Sequence, residues 1–316
     1  MLAGVTAAAM IALSLSGCAG LFADPDAEGL EEVTIAVEPL IGSAAVYLGV
    51  REGYFREGGI DLIVNSFPST GDDVVDMVAA GHADFGLADT LTLMVNQAAG
   101  VDIDVISGAY ATTGNVDSDF AALVVKQDSK IQTVSDIQGK NVSSPDPRSL
   151  DETVVRGLIE DDGGNPAGVH FIKVPQSGVI EALENDVVDV AFVIEPYLSW
   201  AKEAGHRVLN YPYAQYSKTL SVAAYFTTKD VSSTKPDLSH AFNVALKKSL
   251  KYAQEHPDEV RAVFSTYTTT ADSTRTSLSL PRYSERVDKV TLGRLGHVAV
   301  NNGILAKDPD IAALLP

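Results

Sequence analysis

Cysteine is almost absent from this sequence, since Cys18 is the only one among 316 residues. A disulfide within the chain is therefore excluded, as is a metal cluster built from cysteines. The six histidines are scattered without metal-ligand spacing, and the metalloprotease, serine-hydrolase, Walker and dinucleotide-binding patterns are missing. These absences predict no metal, no cofactor and a protein that is not an enzyme, although a carboxylate pair in a cleft could catalyse without any such motif.

Positive charge is also scarce, with 23 Lys and Arg against 42 Asp and Glu and a net charge of -19. Such a surface repels nucleic-acid phosphates and anionic lipid headgroups, so we predict no nucleic-acid partner. The net charge does not decide the charge of a small ligand, because a site is set by local groups. The length exceeds what a single core usually holds, and a hydrophobic content of 46% is enough for two lobes.

Charged residues are missing from the first 17 positions, and residues 2–15 are almost wholly apolar or small. This run is shorter than a membrane span of ~20 residues and is typical of a signal peptide. It ends in Leu-Ser-Gly-Cys, which resembles a bacterial lipobox. We predict a lipoprotein signal peptide over residues 1–18, with Cys18 lipidated rather than buried as a free thiol, and a flexible acidic tether over residues 19–32.

Two apolar, β-branched runs at residues 33–37 and 60–64 predict short buried strands. Between them Ser43 can cap a helix that Gly53 ends. A β-α-β unit requires a parallel sheet, and in such sheets ligands lie beyond the carboxyl ends of the strands. The loop over residues 38–43 is therefore the first candidate binding edge.

Similar signals continue along the chain. Further strands are predicted at residues 101–107, 121–125, 169–174 and 207–210, and Asp89 and Thr90 begin a helix whose free N–H groups favour anions. A helix, turn, Asp, strand pattern at residues 80–87 recurs at residues 185–193. This repetition indicates two lobes that are built alike.

Several segments carry a family resemblance. LGVREGYFREGGI at residues 48–60 resembles the A-x-E-K-G-Y-F-K-E-E-G-L opening of the periplasmic substrate-binding proteins that serve ABC importers of sulfonates, taurine, nitrate and thiamine-pyrimidine precursors. Residues 126–142 are similar to that family's D-S-x-I-x-S-x-x-D-L-K-G-K-x-V, which is the most specific match. The Glu195-Pro196 pair matches the family's strand-end E-P, and the resemblance covers nearly the whole chain after Asp24.

The resemblance implies a two-lobed α/β fold of the type II periplasmic binding protein kind, each lobe a mainly parallel sheet flanked by helices, with two hinge crossings. Lobe one is expected to hold residues 33–118 and 222–316, and lobe two residues 119–221. The implied function is that of an extracytoplasmic, lipid-anchored, monomeric protein that delivers a small ligand to an ABC permease by cleft closure. A signalling receptor and a menaquinone-pathway-like enzyme share this fold, but the lipobox argues against the enzyme.

Candidate ligand contacts follow from predicted strand ends. In lobe one they are Ser43, Tyr47, Asp89, Thr90 and Tyr110, and in lobe two they are Ser143, Ser144, Arg148, Gln176, Glu195 and Tyr197.

The lobe-two candidates suggest two different ligands. Ser143, Ser144 and Arg148 precede a helix N-terminus and suit a sulfonate, nitrate or other oxyanion, unless Ser149 or Asp151 merely caps that helix and Arg148 pairs on the surface. Glu195 and Tyr197 suit a flat, amine-bearing heterocycle such as a thiamine-pyrimidine precursor, unless Glu195 caps a helix and Tyr197 packs in the core. The oxyanion is slightly favoured.

Overall fold

The computed structural model describes residues 29–146 and 148–315. The predicted signal peptide, Cys18 and residues 19–28 of the predicted tether lie outside the described residues.

The elements alternate between strands and helices along most of the chain. The strands are β1 (Glu31–Ala36), β2 (Ile60–Asn65), β3 (Phe85–Asp89), β4 (Ile103–Ala111), β5 (Ala121–Val125), β6 (Asn141–Ser144), β7 (His170–Lys173), β8 (Ala191–Ile194), β9 (Arg207–Asn210), β10 (Ser221–Thr228) and β11 (Arg282–Tyr283). The helices are α1 (Ala44–Arg51), α2 (Tyr54–Glu57), α3 (Gly71–Ala79), α4 (Thr90–Ala98), α5 (Leu150–Asp161), α6 (Val179–Glu184), α7 (Tyr197–Glu203), α8 (Pro212–Tyr216), α9 (Lys229–Thr234), α10 (Pro236–Glu255), α11 (Pro257–Phe264), α12 (Asp272–Ser277), α13 (Lys289–Asn301) and α14 (Ile311–Leu314).

Six strands form the larger sheet, in the order β11-β4-β10-β3-β1-β2, and the part of the chain around it is called lobe one. β1 pairs parallel with β2 and β3, whereas β10 runs antiparallel to both β3 and β4. β11, at the edge of the sheet, is antiparallel to β4. β10 likewise runs opposite to β4, β3, β1 and β2, which share one direction. It can do so because it returns from the other half of the molecule rather than from a helix on this sheet.

The smaller half, called lobe two, contains the β8-β5-β9 sheet and the parallel β6-β7 pair. A bridge between Val142 and Val190 joins the two groups of strands. β5 is antiparallel to β8 and β9, so it breaks the expected parallel direction as β10 does in lobe one. β5 and β10 are also the strands at which the chain passes from one lobe to the other.

The predicted element boundaries need three corrections. β1 begins at Glu31 because Glu31 and Glu32 pair with β2, so the last two residues of the predicted tether belong to the sheet. β4 runs on to Ala111 because β10 and β11 pair with its end, which places Tyr110 inside a strand. Ser43 closes a 3₁₀ turn before α1 and makes no side-chain cap.

The two lobes share a core on one side of the molecule. Buried apolar side chains of both sheets pack into one cluster, while a second, smaller cluster lies within lobe two. α13, from the end of the chain, packs against α5 of lobe two. Arg294 of α13 donates to the Tyr216 carbonyl oxygen at 2.9 Å, which adds a polar link to this contact. The strand ends of both sheets face each other beside this shared core.

Candidate ligand-binding cavity

A cavity of about 50 Å³ lies where the strand ends of lobe one face lobe two. This is room for a few water molecules or for a small polar group. Lobe one lines it with Glu38, Leu40, Ser43, Thr70, Gly71, Leu87, Ala88, Asp89, Tyr110 and Val222, and lobe two with Pro145, Asp146, Ser149, Asp151, Gln176, Ile194 and Tyr213.

Glu38 follows β1, and two hydrogen bonds to its backbone carbonyl oxygen hold the loop in place. The Glu38 carbonyl oxygen accepts from Ser43 Oγ at 2.6 Å and from the Leu40 N–H. The Glu38 carboxylate accepts no hydrogen bond from any residue in the described part of the chain. Burial raises the pKa of Glu38 to about 8, and the negative charges of Asp89 and Asp151 add to the rise.

The same loop fits closely around Tyr110. A Cβ atom at Gly42 would lie 2.2 Å from Cε1 of the Tyr110 ring, so only glycine allows this approach. The ring also packs edge-on against Phe120 at a centroid distance of 5.7 Å. No described residue hydrogen-bonds the Tyr110 hydroxyl, which lines the cavity. Burial raises the pKa of Tyr110, so the hydroxyl is neutral and can accept or donate.

Asp89 ends β3 and caps α4. One carboxylate oxygen accepts from the Leu91 and Thr92 N–H groups at 3.0 and 2.9 Å, and the other accepts from Thr92 Oγ1. Burial nevertheless raises the pKa of Asp89 to about 6, since desolvation outweighs these hydrogen bonds. Thr70 caps α3 on the same wall, where its Oγ1 accepts from the Asp73 N–H at 3.2 Å.

Asp151 lies in the first turn of α5 and is only 5% exposed. Its Oδ1 accepts from the Tyr213 hydroxyl, whereas no donor among the described residues reaches Oδ2. Burial raises the pKa of Asp151 to about 7, and the Tyr213 hydrogen bond opposes that rise. Half of this carboxylate is therefore satisfied by the protein and half is not.

Asp146 adds a fourth carboxylate from the loop after β6. Burial and the nearby Asp72 of α3 raise the pKa of Asp146, while Lys173, whose Nζ lies 3.4 Å from Oδ1, opposes the rise. Among the described residues that line the cavity, none is Lys, Arg or His. The local electrostatic environment is therefore negative.

Four of the eleven predicted contacts line this cavity: Ser43, Asp89, Tyr110 and Gln176. Gln176 is held along β8, because its Nε2 donates to the Phe192 carbonyl oxygen and its Oε1 accepts from the Ile194 N–H, both at 3.2 Å. The Gln176 side chain therefore lines the cavity in a fixed orientation.

The other two predicted contacts of lobe one lie away from the cavity. The Tyr47 ring stacks on Tyr267 with a centroid distance of 3.8 Å. Thr90 is buried, and its Oγ1 donates to the Ser221 carbonyl oxygen at 3.1 Å, which ties α4 to β10.

Ser143, Ser144 and Arg148, the predicted oxyanion group, do not converge on the cavity. Ser143 Oγ accepts from the Phe192 N–H at 2.8 Å, and Ser144 Oγ donates to the Asp146 carbonyl oxygen at 2.6 Å. Arg148 is exposed, and its Nη2 donates to the Ile304 carbonyl oxygen at 2.8 Å. These hydrogen bonds hold the loop and join it to lobe one.

Glu195 and Tyr197 have the structural contacts that the sequence left as an alternative. Glu195 is fully buried, and its carboxylate accepts from the Ser199 N–H, the Ser199 hydroxyl and the Ser279 N–H, each at 3.0 Å. Burial raises the pKa of Glu195, and these hydrogen bonds oppose the rise. Tyr197 packs edge-on against Trp200 at 5.0 Å.

The prediction missed the carboxylates of Glu38, Asp146 and Asp151 and the hydroxyl of Thr70. Each lies at or just after a strand end, so the rule that selected the other candidates also applied to them. For Asp151 the sequence suggests only a helix cap or a partner of Arg148. The Arg148 backbone N–H instead donates to Glu152 Oε2 at 2.9 Å.

Two absences concern residues 29–146 and 148–315. In this part of the chain, no group of three or more His, Cys, Asp or Glu side chains is arranged to hold a metal ion. No helix described there combines the length and apolar character needed to cross a membrane.

The sequence matches the family model described as NMT1/THI5 like over residues 41–260, which is more than half of the chain. None of the curated proteins compared matches it significantly.

Solved structures with the same fold include three periplasmic binding proteins. The alkanesulfonate-binding protein SsuA from Xanthomonas axonopodis pv. citri, bound to MOPS, has a TM-score of 0.77 at 13% identity, covering 90% of this chain and 98% of its own. The aliphatic sulphonate binding protein SsuA from Escherichia coli gives 0.73 at 16%, covering 90% and 91%. The nitrate-binding protein NrtA from Synechocystis PCC 6803 gives 0.73 at 12%, covering 90% and 86%. The predicted two-lobed α/β fold is confirmed.

Proposed function

Because the chain belongs to the NMT1/THI5-like family, we propose that it is an extracytoplasmic, lipid-anchored solute-binding protein of an ABC importer. It takes up a small polar ligand between its lobes and presents the closed form to a permease. The observation that carries this proposal is the cavity itself, which is lined by strand ends and helix starts of both lobes. In this role the protein is a monomer and not an enzyme.

Closure follows from the position of these residues. A ligand in the cavity contacts Glu38 and Asp89 on one wall and Asp146 and Asp151 on the other only when the lobes are together. Its binding energy therefore favours the closed population over the open one. The permease can then distinguish loaded from empty protein by the distance between the lobes.

Binding is tested by a thermal-shift screen against sulfonates, taurine, nitrate, amines, pyrimidine precursors and flavins. A ligand that binds only the folded state raises the free energy of unfolding by about 2.7 kcal/mol when its concentration is a hundred times its Kd. The melting temperature rises as a result. The ligand should be recovered unchanged, and small-angle scattering should show a smaller radius of gyration when it is bound. Turnover of the compound, or no shift with any class, contradicts the proposal.

The lipid anchor is tested separately with the full chain. Wild-type protein expressed in a bacterium with lipoprotein processing should sediment with membranes, and a Cys18→Ser variant should not. The same partition for both forms contradicts the anchor and leaves the binding function standing.

A further inference from the structure

Three oxygen-bearing groups that line the cavity lack partners in the described part of the protein. They are the Glu38 carboxylate, Oδ2 of Asp151 and the Tyr110 hydroxyl. Asp151 is 95% buried, since only 5% of it is exposed. Glu38 and Tyr110 are partly buried. Polar groups that lie this deep are usually hydrogen-bonded, so all three are available to pair with a ligand that enters the cavity. Ionised carboxylate oxygens only accept hydrogen bonds, so a ligand that meets Glu38 and Asp151 in their ionised form donates to them.

The charge around these acceptors has one sign. Asp89 and Asp146 stand with Glu38 and Asp151 on the cavity wall, and none of the described lining residues is basic. The Lys173 ammonium lies 3.4 Å from Asp146 Oδ1, but Lys173 is not among the residues that line the cavity. The Arg148 guanidinium is directed to Ile304 instead. An anion placed here would be repelled by every charged group on the wall, whereas a cation would be attracted by each of them.

We infer that this cavity binds a small organic cation with N–H donors, an ammonium, amidinium or guanidinium group, between Glu38 and Asp151. The inference rests on the proposed function and names the chemical class of its ligand. A planar amidinium or guanidinium can give parallel hydrogen bonds to a carboxylate, and the cavity of about 50 Å³ suits a group of that size. A cationic ligand differs from the oxyanion that the sequence of the loop around Arg148 suggested.

Proton linkage gives this inference a signature that a neutral or anionic ligand does not share. A bound cation stabilises the ionised carboxylates and lowers the pKa values of Glu38, Asp151 and Asp89, so protons are released on binding. Affinity for a cation therefore rises between pH 6 and pH 8. A bound anion would favour the protonated carboxyls, take up protons and bind more weakly as the pH rises.

The test is isothermal titration calorimetry of the purified protein at pH 6 and pH 8, in pairs of buffers with different ionisation enthalpies. The probes are ethylammonium, acetamidinium and methylguanidinium chlorides, with sodium ethanesulfonate, sodium nitrate and calcium chloride as comparisons. At least one organic cation should bind at pH 8 with net proton release, and its affinity should fall at least fivefold at pH 6.

Two variants separate the cavity from the general surface charge. Glu38→Gln should weaken binding of that cation at least tenfold, because it removes the carboxylate that has no other partner. Glu32→Gln removes the same charge from an exposed position on β1 and should change affinity by less than twofold. Equal effects of the two variants would overturn the inference.

The remaining outcomes separate the inference from the function on which it rests. Binding of ethanesulfonate, nitrate or calcium without an organic cation overturns the inference and leaves a solute-binding protein. The same holds if only a neutral or anionic compound of the thermal-shift screen binds. If no compound of either panel binds, the proposed function fails as well.

Discussion

Two Glu-Pro pairs follow strands in the two lobes, Glu38-Pro39 after β1 and Glu195-Pro196 after β8. Glu195 is fully buried and accepts three hydrogen bonds from Ser199 and Ser279. Glu38 accepts none from the described residues and lines the cavity between the lobes. The same residue types at similar places in the fold thus do different things. One glutamate holds the structure together, and the other is the contact that we propose for a ligand.

The difference comes from the donors around each glutamate. Ser199 lies one turn into the helix that follows Glu195, and Ser279 reaches it from the other lobe. The loop after Glu38 directs the Ser43 hydroxyl to the backbone carbonyl rather than to the carboxylate. A strand-end carboxylate is therefore a ligand contact only where the fold brings it no donor. The following predictions test this contrast.

Glu195→Ala should have the largest effect. It leaves the buried Ser199 N–H and the partly buried Ser279 N–H without their acceptor, at about 1–3 kcal/mol for each unsatisfied group. We expect the free energy of unfolding in urea to fall by about 2–4 kcal/mol. Glu195→Gln keeps one acceptor oxygen and should lose about half as much. A loss below about 1 kcal/mol for Glu195→Ala would mean that the Glu195 carboxylate, like that of Glu38, contributes little to holding the structure together.

Glu38→Gln should change stability in the opposite direction, and only at high pH. The folded-state pKa of Glu38, about 8, lies above the ordinary 4.5, so its contribution to stability is complete below pH 4.5 and is lost as the pH rises through 8. The full shift corresponds to about 5 kcal/mol, but Glu38 is partly exposed and solvent screens it, so we expect a smaller effect. The variant should differ little from wild type at pH 5 and exceed it by ~2 kcal/mol at pH 8.5. Urea unfolding at both pH values measures this, and a difference that does not change with pH would contradict it.

Tyr213→Phe tests the contrast at Asp151, whose carboxylate is intermediate between the two glutamates. It accepts one hydrogen bond, whereas Glu195 accepts three and Glu38 none from the described residues. The variant removes the donor to Asp151 Oδ1 and makes this carboxylate resemble Glu38. The pKa of Asp151 should then rise above about 7. We expect a loss of about 1 kcal/mol of unfolding free energy at pH 8 and less at pH 5, since hydrogen bonds to an ionised acceptor are stronger. An equal loss at both pH values would show that Asp151 is already neutral at pH 8.

Arg148→Ala should have the smallest effect. Its guanidinium is exposed and bonds the Ile304 carbonyl oxygen, so we expect a loss of about 0.5–1 kcal/mol and less than a twofold change in ligand affinity. Arg148→Gly is the matched control, because the backbone φ of 68° favours glycine and should make this variant the more stable of the two. A tenfold loss of affinity for a sulfonate, nitrate or other oxyanion would instead support the oxyanion site suggested by the sequence.

Much of the fold could be predicted because it depends on local patterns. The apolar runs at residues 60–64 and 121–125 became β2 and β5 nearly to the residue, and Gly53 follows α1 with a φ of 77°. Hydrophobic periodicity and turn residues are local signals, which lie within about ten positions of the helix or strand that they predict. The family resemblance is likewise confirmed by the match over residues 41–260.

The direction of side chains at the site could not be predicted in the same way. Arg148 is drawn to Ile304, which is 156 positions later, and Glu195 to Ser279, which is 84 positions later. Such partners become known only when the two lobes are placed together. The strand-end rule selected residues near the sheet edges that border the cavity, but it could not tell which polar groups the protein would satisfy itself.

The place of β10 in the larger sheet has a consequence for how the protein is made. β10 lies between β3 and β4 and pairs with both. These two strands therefore lack a shared partner until residue 228, the end of β10, has left the ribosome. The strands of lobe two, between residues 121 and 210, are all synthesised before then. Lobe two can therefore assemble first as a continuous stretch of chain. Until β10 arrives, the edges of β3 and β4 that face it are unpaired, and unpaired strand edges expose a nascent chain to aggregation.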